Sequence, residues 1–494
     1  MQQGFDNQLY VQKQTEQIRN RISQFQGKLY LEFGGKLFDD YHAARVLPGF
    51  DVNAKINLLL EMRDIAEIIL CISAGAIEKN KLRSDVGLTY DMDVLRFIDD
   101  MQRLSLSVNS VVITQYDGQP AADRFYRKLK NMGIRCYLHR LTKGYPTDVE
   151  TIISPEGYGR NPYIETTRPL VVVTAPGPSS GKLATCLSQL YHEHQRGVMA
   201  GYAKFETFPL WNLPLKHPVN LAYEAATADL KDVNMIDPYH LEAYGTTTVN
   251  YNRDIEVFPI VRTILGRITG NPDVYKSPTD MGVNMAGYAI SNDAVCREAA
   301  KQEIIRRYFQ SICDQKRGLT EQDVPDRIEV IMQQLGLTEE DRSVVPAARK
   351  RWEEFGRPTT AISLKDGRII TGRLSDLLTA PASAILNAIK TLSGMADHVY
   401  LLSPVVLEPI LRIKKDFLHM DTTRLSVEEV LIAMGICAAT NPMVELAVSK
   451  LSELSGCEAH STVMLTNADE QTLRRLGIRL TCDPVYLGKK VHAL

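Results

Sequence analysis

The sequence predicts an α/β protein of several domains: a mostly parallel sheet with a P-loop-like strand, loop and helix, a helical subdomain, and a C-terminal α/β domain. Three observations lead to this fold class. The chain has 494 residues, more than one hydrophobic core usually organises. Short apolar runs alternate with helical stretches, which is the pattern of a parallel sheet. One of these runs passes through a loop of small residues directly into a helix.

Five apolar runs are predicted to be strands of the first sheet. Their near-continuous apolarity is typical of strands that are covered by helices on both faces. Helices are predicted between them at 91–103 and 121–132, the second ending at Gly133, as C-caps often do. The five predicted strands are 28–33, 67–73, 108–114, 134–139 and 169–174.

After the first sheet, changes in the pattern of apolar residues divide the chain into a helical segment and a C-terminal segment. Long helical stretches predominate from about 219 to 315, and a charged helical stretch follows at 319–355. Asp366-Gly367 then stands between two apolar runs and predicts a tight hairpin. Beyond the hairpin, helices at 382–392 and 426–440 alternate with strands at 461–465 and 478–481. We therefore predict an α/β phosphate-binding domain at 1–218, a mainly helical subdomain at 219–355 and a C-terminal α/β domain at 356–494.

Composition limits the classes of partner. The net charge is -2, so no positive field covers the protein and we expect no nucleic-acid partner. Eight cysteines without a CxxC pair suggest a reducing compartment. No apolar run approaches the roughly 20 residues of a membrane span, and the N-terminus lacks the apolar core of a signal peptide. We expect a cytoplasmic protein with no membrane partner, and leave a homo-oligomer open.

The strongest chemical signal is the run LVVVTAPGPSSGKLAT, from Leu170 to Thr185, which has the pattern of strand, loop and helix. The backbone N–H groups of such a loop form an anion site together with the positive end of the helix dipole. Lys182 adds a mobile cation. The predicted ligand-binding residues are Gly177, Ser179, Ser180, Gly181, Lys182 and Thr185.

This loop differs from the GxxxxGK[ST] pattern of P-loops in two ways. Only three residues stand between Gly177 and Gly181, and Leu183 replaces the hydroxyl residue that normally holds magnesium. Ser180 or Thr185 would have to take over that role. The loop therefore predicts binding of ATP or another phosphorylated small molecule, with the need for magnesium left open. The alternative is a tight strand-to-helix turn with an exposed lysine.

Asp237 and His240 are, with Lys182, the candidate catalytic residues. Asp237 ends a short apolar run and would position a magnesium-bound water or act as a general acid or base. His240 is the other candidate for the general acid or base. Asp237 also precedes Pro238, so the same residues fit a turn or the start of a helix. Both interpretations stay open.

Two neighbouring segments are predicted to lie near a substrate. Polar side chains are dense at 246–254. The long loop at 277–287 carries Asp280 and Asn284 between glycines, ahead of a helix, and their side chains have no obvious capping role. We expect this loop to close over a ligand, the alternative being a long capped connector.

Two other patterns carry less information. Residues 31–36 resemble the strand and glycine pair that opens amino-acid kinases, but Glu32 stands where those enzymes usually have a lysine, and an ordinary glycine turn is the alternative. His192 and His194 stand two apart on a helix and face different sides, unlike the i, i+4 spacing of zinc pairs. We predict no metal site.

At the phosphate loop, and again across MGVNMAGYAISND at 281–293, the chain resembles a bacterial family of conserved proteins whose function is unassigned. The likeness extends over nearly the whole chain. It implies a multidomain α/β architecture with a nucleotide-binding character, but the family has no established activity that could be carried over to this chain.

The residues themselves predict a nucleotide- or phosphate-ligand-binding protein, and specifically an ATP-dependent kinase or ligase that acts on a small metabolite. Positioning and electrostatics dominate this chemistry, and Lys182 would neutralise the charge that develops on the phosphate. The alternative from another class is a nucleotide-sensing regulatory or scaffold protein without catalysis. A third hypothesis is an enzyme for a phosphorylated sugar or a dinucleotide.

Overall fold

The computed structural model describes residues 3–35, 37–38, 40–83 and 87–487. The chain forms two compact units. The N-terminal unit consists of Gln2–Glu224 and Lys231–Ala300, and the C-terminal unit of Ala225–Leu230 and Lys301–Leu494. The division into the segments 1–218, 219–355 and 356–494 stays a prediction.

The strands of the described chain are numbered in chain order. They are β1 (Leu29–Phe33), β2 (Ala66–Ser73), β3 (Leu82–Arg83), β4 (Leu88–Thr89), β5 (Val108–Thr114), β6 (Cys136–Leu138), β7 (Leu170–Thr174), β8 (Gly201–Phe205), β9 (Asn234–Ile236), β10 (Val249–Tyr251), β11 (Gly282–Val283), β12 (Thr359–Ser363), β13 (Ile369–Arg373), β14 (Glu458–Ser461) and β15 (Arg479–Cys482). Two short pairs, β3 with β4 and β9 with β10, are antiparallel.

The α-helices are numbered in the same way. They are α1 (Asn7–Gln24), α2 (Tyr41–Val46), α3 (Ala54–Glu61), α4 (Ala74–Glu78), α5 (Tyr90–Arg103), α6 (Pro120–Asn131), α7 (Val149–Ile152), α8 (Lys182–Gln195), α9 (Pro218–Ala226), α10 (Pro238–Tyr244), α11 (Asn252–Thr269), α12 (Pro278–Met281), α13 (Asp293–Lys316), α14 (Asp323–Gln334), α15 (Val344–Phe355), α16 (Ala380–Leu392), α17 (Pro404–Arg412), α18 (Val427–Ala438), α19 (Pro442–Ser449) and α20 (Asn467–Arg475). None of these helices combines the length and the apolarity needed to cross a membrane.

Seven strands of the N-terminal unit form one sheet in the order β11-β8-β1-β7-β2-β5-β6. All of its strand pairs are parallel. Every residue of β1 and β7 is buried, as expected for strands that are covered on both faces. The five strands predicted from apolar runs are all present, and the predicted α/β fold class is confirmed.

The strand order creates a change of direction in the middle of this sheet. From β1 the chain continues to β2, which lies beyond β7, whereas from β7 it continues to β8, which lies beyond β1. The connections therefore leave these two neighbouring strands towards opposite edges of the sheet. In open α/β sheets such a switch point leaves a crevice at the carboxyl ends of the strands, where ligands bind.

The C-terminal unit contains a second sheet, in the order β13-β12-β14-β15. β12 and β13 form the predicted antiparallel hairpin around Asp366-Gly367. The strand predicted at 461–465 is wrong in position, because β14 ends at Ser461. The polar residues Glu458 and His460 kept β14 from being recognised as a strand in the sequence. The guanidinium of Arg342 lies 2.6 Å from a carboxylate oxygen of Glu458, and Nδ1 of His460 lies 2.9 Å from the hydroxyl of Thr481. These partners allow polar side chains to be buried in the strand.

Candidate functional site

The loop between β7 and α8 contains two residues in the left-handed backbone conformation. Ser179 and Gly181 have positive φ angles of 55° and 77°. A left-handed residue followed by a right-handed one turns successive N–H groups towards a common point, which forms an anion-binding concavity. Gly181 is required here, because a Cβ atom at this position would lie 2.9 Å from Cβ of Thr114. Gly177 likewise packs too closely against the ring of Tyr90 for any side chain to fit.

Among the described residues, no side chain caps the N-terminus of α8. Gly181 is the N-cap residue, and the backbone N–H of Thr185 donates to its carbonyl at 3.0 Å. The N–H groups of Lys182, Leu183 and Ala184 precede this bond and have no acceptor within the helix. They coincide with the positive end of the helix dipole, so this end of α8 favours an anion.

Hydroxyl groups hold the loop in this shape. Ser180 Oγ donates to the Gly177 carbonyl at 2.5 Å, and Thr114 Oγ1 donates to the Ser180 carbonyl at 2.8 Å. Thr185 Oγ1 donates to the Gly181 carbonyl at 3.0 Å. Ser180 and Thr185 are both buried, whereas Ser179 is exposed at the tip of the loop. The two hydroxyls that the sequence offered as magnesium ligands are therefore bonded to loop carbonyls, and their role towards magnesium stays a prediction.

Lys182, the first residue of α8, extends over the carboxyl end of β1. Its Nζ lies 3.8 Å from Oε1 of Glu32, and the two side chains are 15% and 12% exposed. The hydroxyl of Tyr202 donates to Oε2 of the same carboxylate at 2.9 Å. Burial, together with the Glu32 charge, raises the pKa of Tyr202 well above its usual value, so this hydroxyl stays protonated. The predicted cation is thus placed at the switch point, paired with a carboxylate.

A second charged group lies next to this pair, on β8. Lys204 is opposite Glu32 in the strand register. Its Nζ lies 2.8 Å from both carboxylate oxygens of Asp254, in the first turn of α11, and 2.5 Å from Oε1 of Glu206. Burial raises the pKa of Glu206 to about 7, although Lys204 opposes the shift. Burial lowers the pKa of Lys204, but the carboxylates outweigh it and raise that pKa above its usual value.

Asp237 is fully buried and caps α10. Its carboxylate accepts hydrogen bonds from the backbone N–H groups of Tyr239 and His240, at 3.0 and 3.1 Å. It also accepts from Nδ2 of Asn250 at 2.9 Å and from the hydroxyl of Thr279 at 3.2 Å. The helix start that the sequence allowed is therefore observed, and a role as a general base stays a prediction.

His240 and the loop at 277–287 lie together, away from the contacts of the phosphate loop. His240 Nδ1 is 3.2 Å from Oγ of Ser277. Ser277 and Asp280 form a capping box on α12, and Asn284 donates to the carbonyl of Pro209 at 2.7 Å. The expectation that Asp280 has no capping role is therefore wrong. In the described part of the chain, the hydrogen bonds of Asp237 and His240 reach this loop and not Lys182.

Replacing Asp237 with alanine is expected to lower the free energy of unfolding by about 2–4 kcal/mol, because a helix cap and two buried hydrogen bonds are lost. Thermal melting of the two proteins measures this. Asp237→Asn, which keeps an acceptor for the helix, should recover part of the loss. An alanine variant that melts with the wild type would contradict the capping role.

Candidate site residues at this edge of the sheet were not predicted from the sequence. β8 was not predicted, although Tyr202, Lys204 and Glu206 follow the two-residue alternation of a strand face. Gly34 and Gly35 follow β1, as the kinase-like pattern suggested, but Lys36 lies outside the described residues.

Two family models match the chain. The model "Domain of unknown function DUF1846, N-terminal" matches residues 3–336, and "Domain of unknown function DUF1846, C-terminal" matches residues 340–492. A UPF0371 protein of Clostridium botulinum (strain Langeland / NCTC 10281 / Type F) is 56% identical over 500 residues, which cover 100% of this chain and 99% of that protein. A UPF0371 protein of Clostridium tetani (strain Massachusetts / E88) is 55% identical with the same coverage. The family resemblance inferred from the sequence is thus confirmed, and the chain belongs to the DUF1846 family.

Proposed function

We propose that the protein binds a phosphorylated small molecule, such as a nucleotide, with a phosphate group at the N-terminus of α8. One observation carries this proposal: the left-handed Gly181 leaves the first N–H groups of α8 uncapped, with Lys182 beside them at a switch point of the sheet. Exposed backbone donors, a helix dipole and a lysine are the elements that bind phosphate in other strand-loop-helix sites.

For the reaction, we propose transfer of a phosphoryl group to a small metabolite, or its ligation. Lys182 would contact the transferred phosphate and stabilise its charge in the transition state. Asp237 and His240 are the acid–base candidates only if the second substrate extends from the phosphate loop to the 277–287 loop, where their hydrogen bonds lie. Of the two we favour His240, since the carboxylate of Asp237 is engaged in four hydrogen bonds. Leu183 supplies no hydroxyl for magnesium, so the metal would be held by the ligand's phosphates or by other side chains.

Thermal melting against a ligand panel tests this proposal. The panel contains ATP, ADP, pyrophosphate and sugar phosphates, each with and without magnesium, and ADP or phosphate release is followed in parallel. A ligand at 100 times its Kd should stabilise the protein by about 2.7 kcal/mol. Product formation that requires magnesium would support the kinase or ligase. A panel in which no phosphorylated compound shifts the melting temperature would contradict the proposal.

A second candidate function is a nucleotide sensor that changes its assembly without catalysis. Leu183 favours binding without hydrolysis, and an apolar surface favours assembly. That surface is the exposed side of α18 and α19, formed by Ile432, Gly435, Ile436, Met443 and Leu446, and is called the α18–α19 surface below. Its four large side chains are between 43% and 57% exposed.

We propose that the α18–α19 surface meets a second copy of the chain. Residues 430–444 contain no charged side chain in a protein that is 23% charged, so the centre of the surface can face a second copy without repulsion between like charges. The exposed Glu428 and Glu445 stand at the two ends of this uncharged stretch. Gly435 lies in the middle of α18, where a Cβ atom would meet no atom of the described residues within 4 Å. This glycine is unnecessary for packing within the chain and destabilises the helix, but it lets a second helix approach closely.

We therefore expect the wild-type protein to be a dimer and Ile436→Glu to be a monomer, by sedimentation velocity at micromolar concentrations. Leu319→Glu is the matched control, since Leu319 is 73% exposed in the same unit and outside this surface. The sensor hypothesis adds that a nucleotide changes the dimer fraction without product. A monomeric wild type at every concentration, with and without nucleotide, would contradict it.

A further inference from the structure

The end of β8 carries a polar group of side chains that phosphate binding does not require. It consists of Lys204, Glu206, Tyr251 and Asp254, and is called the β8 cluster below. Lys204 contacts both carboxylates, and the side chains of Lys204, Asp254 and Glu206 are 24%, 23% and 10% exposed. Charged groups at this depth are usually paired, as these three are with one another, because burying an unpaired charge is costly. Their partial exposure shows that a ligand can reach them.

Tyr251 provides a second and independent observation. Its side chain is 3% exposed, and its hydroxyl has no hydrogen-bond partner among the described residues. The ring stacks on Tyr223, with ring centroids 5.5 Å apart. Tyr251 is the N-cap residue of α11, and Asp254 lies in the first turn of the same helix. Burial raises the pKa of the Tyr251 hydroxyl well above its usual value, so it remains a neutral donor. An unpartnered buried hydroxyl is destabilising, and a ligand that accepted its hydrogen bond would remove that cost.

The β8 cluster and the phosphate loop lie at the same edge of the sheet. β1 separates β7 from β8, and Glu32 is in register with both Val173 and Lys204. Two strand spacings place the two sites about 10 Å apart. The ammonium of Lys182 lies between the two sites, because it is 3.8 Å from Glu32 on the intervening strand β1.

We propose that the β8 cluster binds the hydroxyl groups of a sugar, so that the ligand of this protein is a sugar phosphate or a nucleotide, with its phosphate at α8. This inference rests on the proposed function. Carboxylates accept hydrogen bonds from neighbouring sugar hydroxyls, whereas Lys204 and Tyr251 donate to them. In a sugar phosphate, the phosphate and the hydroxyls at the far end of the sugar are separated by less than the distance between the β8 cluster and the phosphate loop. Adding one hydrogen-bond length at each end of the ligand makes the two distances agree. A compound without hydroxyls would fill only the phosphate site.

Titration calorimetry with four probes tests this inference: pyrophosphate, ATP, 2′,3′-dideoxy-ATP and ribose 5-phosphate. ATP should bind about tenfold tighter than its dideoxy analogue if the ligand is a nucleotide, since two hydrogen bonds are lost. Ribose 5-phosphate should bind tighter than pyrophosphate if the ligand is a sugar phosphate. Either preference supports the inference and identifies the source of the sugar.

Tyr251→Phe is the decisive variant, because it removes a hydroxyl that has no partner in the described protein and should therefore not lower unliganded stability. It is expected to weaken binding of the preferred hydroxylated probe about threefold to tenfold, and to leave pyrophosphate binding unchanged. Ser110→Ala is the matched control, since Ser110 Oγ is also buried and unpartnered in the described chain but lies on β5.

The outcomes separate the inference from the proposed function. If Lys182→Ala abolishes pyrophosphate binding, while hydroxylated and deoxygenated probes bind alike and Tyr251→Phe matches the wild type, the inference fails and the phosphate site stands. If pyrophosphate binds equally to wild type and Lys182→Ala, or if no probe binds, both fail. Asp254→Asn provides a second test, because it should reproduce the loss seen with Tyr251→Phe.

Discussion

Replacing Lys182 with alanine is expected to weaken the binding of ATP and pyrophosphate about 10- to 100-fold, which corresponds to the loss of one hydrogen bond between charged groups. Lys182 is the cation at the uncapped N-terminus of α8. Its ammonium pairs with Glu32 at the long distance of 3.8 Å. A phosphate group can replace this distant partner with a closer and more highly charged one. Titration calorimetry at constant ionic strength measures the change.

A matched variant distinguishes a direct role of Lys182 from a structural one. Glu32→Gln removes the competing charge but keeps an acceptor for the hydroxyl of Tyr202. It should therefore bind pyrophosphate more tightly than the wild type. Lys216→Ala, which removes an exposed lysine outside the site, should have no effect. Equal affinities of wild type and Lys182→Ala would contradict the proposed function.

Replacing Glu193 with alanine is expected to lower the free energy of unfolding by about 3–5 kcal/mol, because one partner of a buried ion pair is removed. Glu193 lies on α8 and is 1% exposed. One carboxylate oxygen lies 2.6 Å from Nζ of Lys28, and accepts from the hydroxyls of Tyr30 at 2.6 Å and Tyr163 at 3.1 Å. These contacts attach α8 to β1, two residues before Glu32. Urea unfolding of the full chain measures the loss.

Two further variants serve as controls for this loss. Glu193→Gln keeps the volume and an acceptor and should destabilise the protein less than alanine does. Glu150→Ala removes a carboxylate that is 73% exposed and pairs with Arg267 at 3.1 Å, so its effect should not exceed about 1 kcal/mol. If Glu193→Ala and Glu150→Ala unfold at the same urea concentration, Glu193 does not anchor α8.

Much of the fold could be predicted, because most strands are encoded by short stretches of consecutive apolar residues. The strands β1, β2, β5, β6 and β7 are apolar runs, and apolarity along a few residues predicts burial. β8 and β14 were missed or misplaced because they carry Lys204 and His460, whose partners are distant in the chain. Polar residues in a strand are explained only once such partners are known.

The site could be predicted only in part, for a related reason. The strand-loop-helix order at Lys182 is local, and its residues predicted the loop. That Lys182 meets Glu32, and that Glu32 adjoins Lys204, depends on β1 lying between β7 and β8. Parallel neighbours in a sheet are separated by long crossover connections, so no local pattern encodes their order. Asp237 was ambiguous because a carboxylate before a proline suits both a helix cap and a catalytic base.

A crystal structure of the protein grown with saturating ATP tests the central claim most directly, because it locates the phosphate. The proposed function predicts phosphate oxygens within hydrogen-bond distance of the N–H groups of Lys182 and Leu183, and the ammonium of Lys182 turned from Glu32 towards them. ATP bound with its phosphates at another part of the chain, while the N-terminus of α8 keeps the Lys182–Glu32 pair, would contradict the claim.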